Sequence, residues 1–312
     1  MTGQQGARLR ALTDTLRRVI AGQEAAIELV LTGLLAGGHV LIEDVPGVGK
    51  TTLAKALARA LDLSFARVQC TPDLLPTDIL GSNVLDPRDG SFAFRPGPVF
   101  TMVLLVDETN RASPRTQSGL LEAMNERQVT VDGVTRELTA PFFVIATQNP
   151  VDFQGTFPLP VAQLDRFLLR VRLGYPPETE ELRVVTERRL ADPLLAVTPV
   201  LDAAGLLAAQ AEVRAVHVSD AVARYALALV RATRHSPDLE LGISTRGALM
   251  FYRAAQAQAY LRGRDHVSPA DLQTLAGPLL GHRVILSSEA RYAGRDSGAV
   301  IDALVATIPV PL

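Results

Sequence analysis

"VLIEDVPGVGKTTLAKAL", residues 40–57, joins a short apolar strand to a helix through a tight loop. A phosphate-binding loop is written G-x-x-x-x-G-K-[ST]. Here Asp44 stands at the first glycine, followed by Val45-Pro46-Gly47-Val48-Gly49-Lys50-Thr51. The flanks are those the motif requires: residues 39–43 read as a strand, and residues 51–61 as a helix with Leu53, Leu57 and Leu61 four apart on one face. Backbone N–H groups of residues 47–50 would then face phosphates at a helix N-terminus. Lys50 would neutralise those phosphates and the Thr51 hydroxyl would hold Mg²⁺, with Val48 and Thr52 completing the binding set. Gly47 and Gly49 let the backbone approach closely. Asp44 is expected to tolerate a left-handed backbone and to leave a solvated carboxylate several ångströms from the phosphates, at a cost of about 1 kcal/mol.

Charge usage points the same way. Of 31 Lys plus Arg, only Lys50 and Lys55 are lysine. A chain that carries almost every positive charge on arginine keeps the compact ammonium where it must reach between phosphate oxygens. The 312 residues can build two cores. The net charge of −2 supplies no basic field for nucleic acid or anionic lipid. A single cysteine, Cys70, leaves no internal disulfide and fits a reducing cytoplasm, where it reads as structural. The five histidines lack ligand spacing, so no protein-held transition metal is expected. No signal peptide or membrane span is apparent, and the expected localisation is cytoplasmic.

Along the chain, residues 10–36 read as helices, and strands are expected at 65–69, 102–106, 142–146 and 167–171. Ser113-Pro114 marks the start of a helix running to about residue 126. Asp132-Gly133 sits between strands 128–131 and 134–138 as a hairpin turn. Strands alternating with helices predict an α/β parallel sheet. Gly174-Tyr175-Pro176-Pro177 marks a boundary, dividing the chain into a core, 1–174, and a smaller helical domain, 175–312. Helices are expected there at 178–190, 219–234, 245–261 and 268–275.

Three further stretches carry chemistry. "MVLLVDE" leaves Asp107 and Glu108 at a buried strand's exit, where the first carboxylate can hold Mg²⁺ through water and the second can polarise an attacking water. "FVIATQNP" ends a strand with Thr147, Gln148 and Asn149, and Asn149 could hold that water or the γ-phosphate. Arg166 in "AQLDRF" and Arg246 in "GISTRG" lie at element edges and by themselves read as solvated surface arginines.

Taken with "CTPDLLPTDILG", "GPVF", "VDETNRASPRTQSGLLEAMNERQVTVDG" and "FFVIATQNPVDFQGTFPLP", these stretches closely resemble the MoxR family of AAA+ ATPases. That family lies in the helix-2-insert branch, beside magnesium-chelatase-like and minichromosome-maintenance ATPases. The resemblance implies a P-loop AAA+ parallel-sheet core followed by a helical lid. The insert would fall at about 82–100 and a second hairpin at about 128–138. It implies that Lys50 and Thr51 form Walker A, Asp107 and Glu108 Walker B, Asn149 sensor 1 and Arg246 sensor 2. Arg166 would be an arginine finger reaching a neighbouring subunit's nucleotide. Glu108, Asn149, Arg166 and Arg246 are thus the expected catalytic set. ATP and Mg²⁺ are the expected ligands, with Thr51 and Asp107 on the metal.

A homo-oligomer, hexameric by superfamily expectation, would hydrolyse ATP to remodel, mature or activate client proteins, in partnership with a von Willebrand factor A-domain protein. Neither membrane insertion nor a nucleic-acid partner is expected. The rivals are a DNA-directed motor, a metal-chelatase motor subunit and a nucleotide-sensing scaffold without turnover. Three departures from the family pattern are Asp44, in place of the first loop glycine, Val161, where glutamate is usual, and Thr109, where isoleucine is usual.

Overall fold

A computed structural model describes residues 3–149, 155–187 and 192–311. Two helices, α1 (Gly3–Val19) and α2 (Glu24–Leu35), lead into β1 (Val40–Glu43), the loop, and α3 (Lys50–Ala60). Then come β2 (Phe65–Gln69), α4 (Pro76–Leu80), β3 (Gly81–Leu85), β4 (Phe92–Pro96) and β5 (Val103–Asp107). They are followed by α5 (Pro114–Glu126), β6 (Gln128–Val131), β7 (Val134–Glu137), β8 (Phe143–Gln148), α6 (Val161–Leu164) and β9 (Leu169–Val171).

Five strands pair in parallel in the order β2-β5-β8-β1-β9. Every residue of β5 is buried, as expected of a strand covered on both faces. Ile42, Val103, Leu105 and Ile145 join the cluster beneath α1, α2 and α3, where Leu53, Leu57 and Leu61 are fully buried. Leu41, Leu104, Val106 and Val144 belong instead to the cluster with Leu120, Leu121 and Met124 of α5. Ser113 caps α5 by accepting from the Thr116 N–H, ahead of Pro114, as the Ser-Pro pair predicts.

Outside the sheet, β3–β4 and β6–β7 are hairpins, the first lying in the segment expected as an insert. Asp132 (φ +51°) and Gly133 (φ +77°) both adopt the left-handed backbone of a type I′ turn. The hairpins touch: Asn83 Nδ2 donates to Asp132 Oδ2 at 2.6 Å, and the Arg136 guanidinium lies 3.8 Å from the Phe94 ring centre.

After β9 the chain is helical: α7 (Glu178–Glu187), α8 (Ala203–Arg214), α9 (Asp220–His235), then β10 (Leu239–Leu241), α10 (Thr245–Leu261) and α11 (Pro269–Leu280). It closes with β11 (Ile285–Leu286), α12 (Ser288–Tyr292) and α13 (Ser297–Thr307). The expected helix 178–190 is described to Glu187, and its last residues lie outside the described ones. The helix at 268–275 continues to Leu280 across Pro278. Helix α8 was not anticipated, because "AAGLLAAQAEVR" is alanine-rich and shows no distinct apolar stripe. Its Asp202 cap, accepting from the Gly205 N–H at 2.8 Å, is the local signal that was available.

This helical region does not hang free. Leu206, Phe251, Leu272, Leu275 and Ile301 share one apolar cluster with Leu31, Leu34 and Leu57. Gln210 Nε2 donates to the Leu34 carbonyl at 2.7 Å, and Arg262 Nε to Glu28 Oε1 at 2.6 Å.

A buried histidine sits where β1 begins. The Val144 N–H donates to His39 Nδ1 at 3.0 Å, so the proton lies on Nε2, which faces the Met124 carbonyl at 3.0 Å. Burial pushes its pKa down to about 4; the Met124 carbonyl opposes this and Arg127 adds to it. The folded value lies below the unfolded one near 6.5, so the unfolded chain takes the proton first. Stability is therefore complete above pH 6.5, falls as pH drops toward 4, and loses about 3 kcal/mol by then. Denaturant unfolding between pH 7 and pH 5 should show most of that loss, and His39→Gln should flatten the slope. An identical slope in the variant would exclude His39 as its source.

Candidate nucleotide site

The loop leaves β1 at the sheet's C-terminal edge, with β8 on one side: Glu43 pairs with Gln148, and the Asp44 N–H donates to the Gln148 carbonyl. On the far side of β8, β5 ends at Asp107. Three strand ends therefore converge, and a cavity of about 340 Å³ opens between them. Its walls are Pro46, Gly47, Gly49, Lys50, Thr51, Thr52, Asp107, Glu108 and Asn149.

Gly47 (φ +86°) and Gly49 (φ +96°) hold left-handed backbones, and a Cβ on Gly47 would meet nothing within 4 Å. The loop thus turns an empty concavity toward the start of α3, the arrangement that anions favour. Lys50 Nζ donates to the Asp44 carbonyl at 2.7 Å. Partial burial lowers the Lys50 pKa, against the pull of Asp107, Asp44 and Glu108. A triphosphate would relieve that desolvation by pairing the ammonium.

The two carboxylates are held differently. Asp107 Oδ1 accepts from the Thr147 hydroxyl at 2.5 Å, and Oδ2 pairs with Arg67 at 2.7 Å. With both oxygens engaged, Asp107 suits a metal held through water. Glu108 has a left-handed backbone (φ +55°), a conformation costly for a non-glycine residue. Its N–H donates to Thr147 Oγ1 at 2.9 Å, and its carboxylate pairs with Arg111 at 3.0 Å. Gln117 Nε2 donates to the Thr109, Ala112 and Phe157 carbonyls, fixing the segment that follows Glu108. Thr51 and Asp107 offer the hard oxygen donors that Mg²⁺ takes.

Asp44 departs from the sequence expectation. It is buried rather than solvated, and it is absent from the residues of positive φ. Its Oδ1 accepts from the Val45 N–H at 2.8 Å and its Oδ2 from the Gly174 N–H at 2.6 Å. A carboxylate accepting two N–H bonds is not the weakly repulsive surface charge that the motif alone suggests.

The two arginines lie elsewhere. Arg246 does not line the cavity; its guanidinium donates to Asn125 Oδ1 at 2.7 Å, at the end of α5. The preceding residue, Met124, is the partner of His39 at the beginning of β1. The loop leaves the other end of that strand, roughly 13 Å away at 3.3 Å per residue. Helix α10, which carries Arg246, packs on α2, α8, α9 and α11. Arg283, buried, donates from Nε to Asp165 Oδ1 at 2.8 Å and from Nη1 to the Leu168 carbonyl at 3.2 Å. Burial lowers the Arg283 pKa to about 10 despite Asp165, and the nearby Arg246 charge lowers it further. Asp165, beside Arg166, and Thr245, beside Arg246, line one cleft with Val161. Arg166 itself is half-buried and makes no side-chain hydrogen bond or ion pair with the described residues.

Sequence reasoning missed the walls of an adjoining cavity of about 340 Å³: Ile20, Ala21 and Gln23 between α1 and α2, facing Tyr175, Pro176, Val184 and Val185. Pro46, Gly47, Val48, Gly49 and Glu181 complete it. It also missed Arg67, Arg111 and Thr147 as holders of the carboxylates. Cys70 is buried and its thiol is pushed up to about 12, chiefly by burial. Among the described residues no group of three His, Cys, Asp or Glu side chains is placed to hold a metal ion, and no helix is long and apolar enough to cross a membrane.

The chain matches the ATPase family associated with various cellular activities over residues 39–169 and the AAA lid domain over residues 231–304. It is 46% identical to the uncharacterized protein YeaC of Bacillus subtilis, over 96% of this chain and 93% of that one. It is 38% identical to the chaperone MoxR1 of Mycobacterium tuberculosis, covering 95% of this chain and 80% of that one. A solved structure of a proposed ATPase from Cytophaga hutchinsonii superposes with a TM-score of 0.91 at 36% identity, covering 99% of this chain and 96% of that one.

Proposed function

The chain belongs to the MoxR family of AAA+ ATPases, and on that premise we propose that it hydrolyses ATP in a Mg²⁺-dependent manner to remodel or activate client proteins. The observation that carries this is the single cavity that brings Lys50, Thr51, Asp107, Glu108 and Asn149 together at three strand ends. The division proposed is a nucleotide-binding core, 1–174, and a lid, 175–312.

In this reading the N–H groups of residues 47–50 and the Lys50 ammonium bind the β- and γ-phosphates. Thr51 and Asp107 would hold Mg²⁺, which when bound neutralises charge on the phosphate oxygens. Glu108 orients a water and accepts its proton as the water attacks the γ-phosphorus, and Asn149 fixes the water or the γ-phosphate. The nucleobase fits the apolar cavity between Ile20 and Val184, next to Gly47. Charge developing on the leaving phosphate needs a further cation. Arg166 has no hydrogen-bond or ion-pair partner among the described residues, and Arg246 lies at the far end of β1. Both are therefore assigned to a neighbouring subunit's site, in a homo-oligomeric ring for which six copies are proposed. The proposed client system includes a von Willebrand factor A-domain protein, and the proposed setting is the cytoplasm.

Lys50→Ala tests the site. Fluorescent-nucleotide titration should show affinity weakened about 100-fold, since bonds to a charged group contribute about 1.5–3 kcal/mol. Unchanged affinity would remove the loop from the account.

A further inference from the structure

Asp44 sits at the first position of the loop, and its side chain points away from the phosphates. Oδ2 accepts from the Gly174 N–H at 2.6 Å, across 130 residues of chain. The Gly174 carbonyl accepts from Gln23 Nε2 at 2.8 Å. Gly174 is thus gripped at both its N–H and its carbonyl, on a left-handed backbone (φ +73°) that only glycine adopts freely. It stands between β9 and α7, immediately before Tyr175 and Pro176, which line the proposed nucleobase cavity. The main chain of Asp44 has a second task, because its carbonyl accepts from Lys50 Nζ at 2.7 Å.

One residue therefore touches both the ammonium that would meet the phosphates and the first residue of the linker to the helical region. Bound phosphates would draw Lys50 from the Asp44 carbonyl, and any shift of Asp44 is transferred to Gly174 through a short charge-assisted bond. Glycine at position 44 would have no group with which to hold Gly174. We propose that Asp44 is a positioning residue that ties the phosphate loop to the linker at Gly174, so that occupation of the loop is felt at the lid. This rests on the nucleotide reading above.

The test is hydrogen exchange by mass spectrometry on the full chain, following a peptide that spans residues 170–178. Wild type, Asp44→Ala and Asp44→Asn are compared without nucleotide and with saturating Mg-ADP. Pro176 and Pro177 carry no N–H, so the signal is dominated by Gly174 and its neighbours. Without nucleotide, Asp44→Ala should exchange there about tenfold faster than wild type, as expected for loss of one protecting bond. Asp44→Asn, whose amide oxygen can still accept, should fall between them. Mg-ADP should change exchange of this peptide in wild type and leave it unchanged in Asp44→Ala, although that variant still binds nucleotide.

Equal exchange in wild type and Asp44→Ala without nucleotide would overturn the proposal, as would a wild-type nucleotide response in Asp44→Ala. Should the alanine variant fail to fold, Asp44→Asn carries the same comparison. Wild type that binds no nucleotide would defeat the site reading instead, and the nucleotide-free comparison would still decide whether the tie exists.

Discussion

In Arg166→Ala, ATP turnover is expected to fall by about 10³–10⁵, the range an arginine finger supplies. Nucleotide affinity should stay within a few-fold of wild type. Its guanidinium makes no bond with the described residues, so its removal strands no buried partner and should cost little stability. The decisive measurement uses mixed assemblies. Arg166→Ala subunits keep an intact loop and Glu108, whereas Glu108→Gln subunits keep the finger. Each is inactive by itself, and mixing them should restore turnover at interfaces where an intact site meets an intact finger.

The same mixing interrogates Arg246. If it serves the neighbour, Arg246→Ala is rescued by Glu108→Gln. If it serves its own chain, every site in the mixture lacks either Arg246 or Glu108, and no activity returns. A failed rescue would mean that α10 swings by more than the length of β1 to reach the loop.

Glu108→Gln should lower turnover by about 10²–10⁴, the usual contribution of a general base. ATP binding should persist, because Glu108 carries no phosphate contact in the proposed chemistry and its amide would relieve repulsion toward the phosphates. The Gln oxygen can still accept from Arg111, so the local fold should survive. Steady-state phosphate release with parallel nucleotide titration separates the two effects. A rate equal to wild type would favour a nucleotide-sensing scaffold over an ATPase. The ATP-locked variant would also be the form in which to capture a client.

Much of the cavity at the three strand ends could be read directly. Gly47, Gly49, Lys50 and Thr51 form a contiguous motif, and Asp107 and Glu108 follow an unbroken apolar strand, so short-range pattern suffices for both. Asn149 required one more step, the rule that ligands gather at strand C-terminal ends. The walls of the adjoining cavity were not legible: Ile20, Gln23, Tyr175 and Val184 are ordinary residues until the α1–α2 turn and the start of α7 meet. Helix α8 was lost because alanine on every face leaves no period to detect.

The amino-acid sequence by itself determined the parallel sheet, the loop, the carboxylate pair that ends β5 and the helical character after residue 175. Each of these follows from turn chemistry, capping or apolar periodicity acting over a few residues. Only the tertiary structure decided that Asp44 is buried and holds Gly174, and that Arg246 meets Asn125 instead of the loop. Those partners lie 130 and 121 residues apart in the chain. A charged side chain's partner is chosen by whichever elements pack beside it, and local sequence carries no record of that choice.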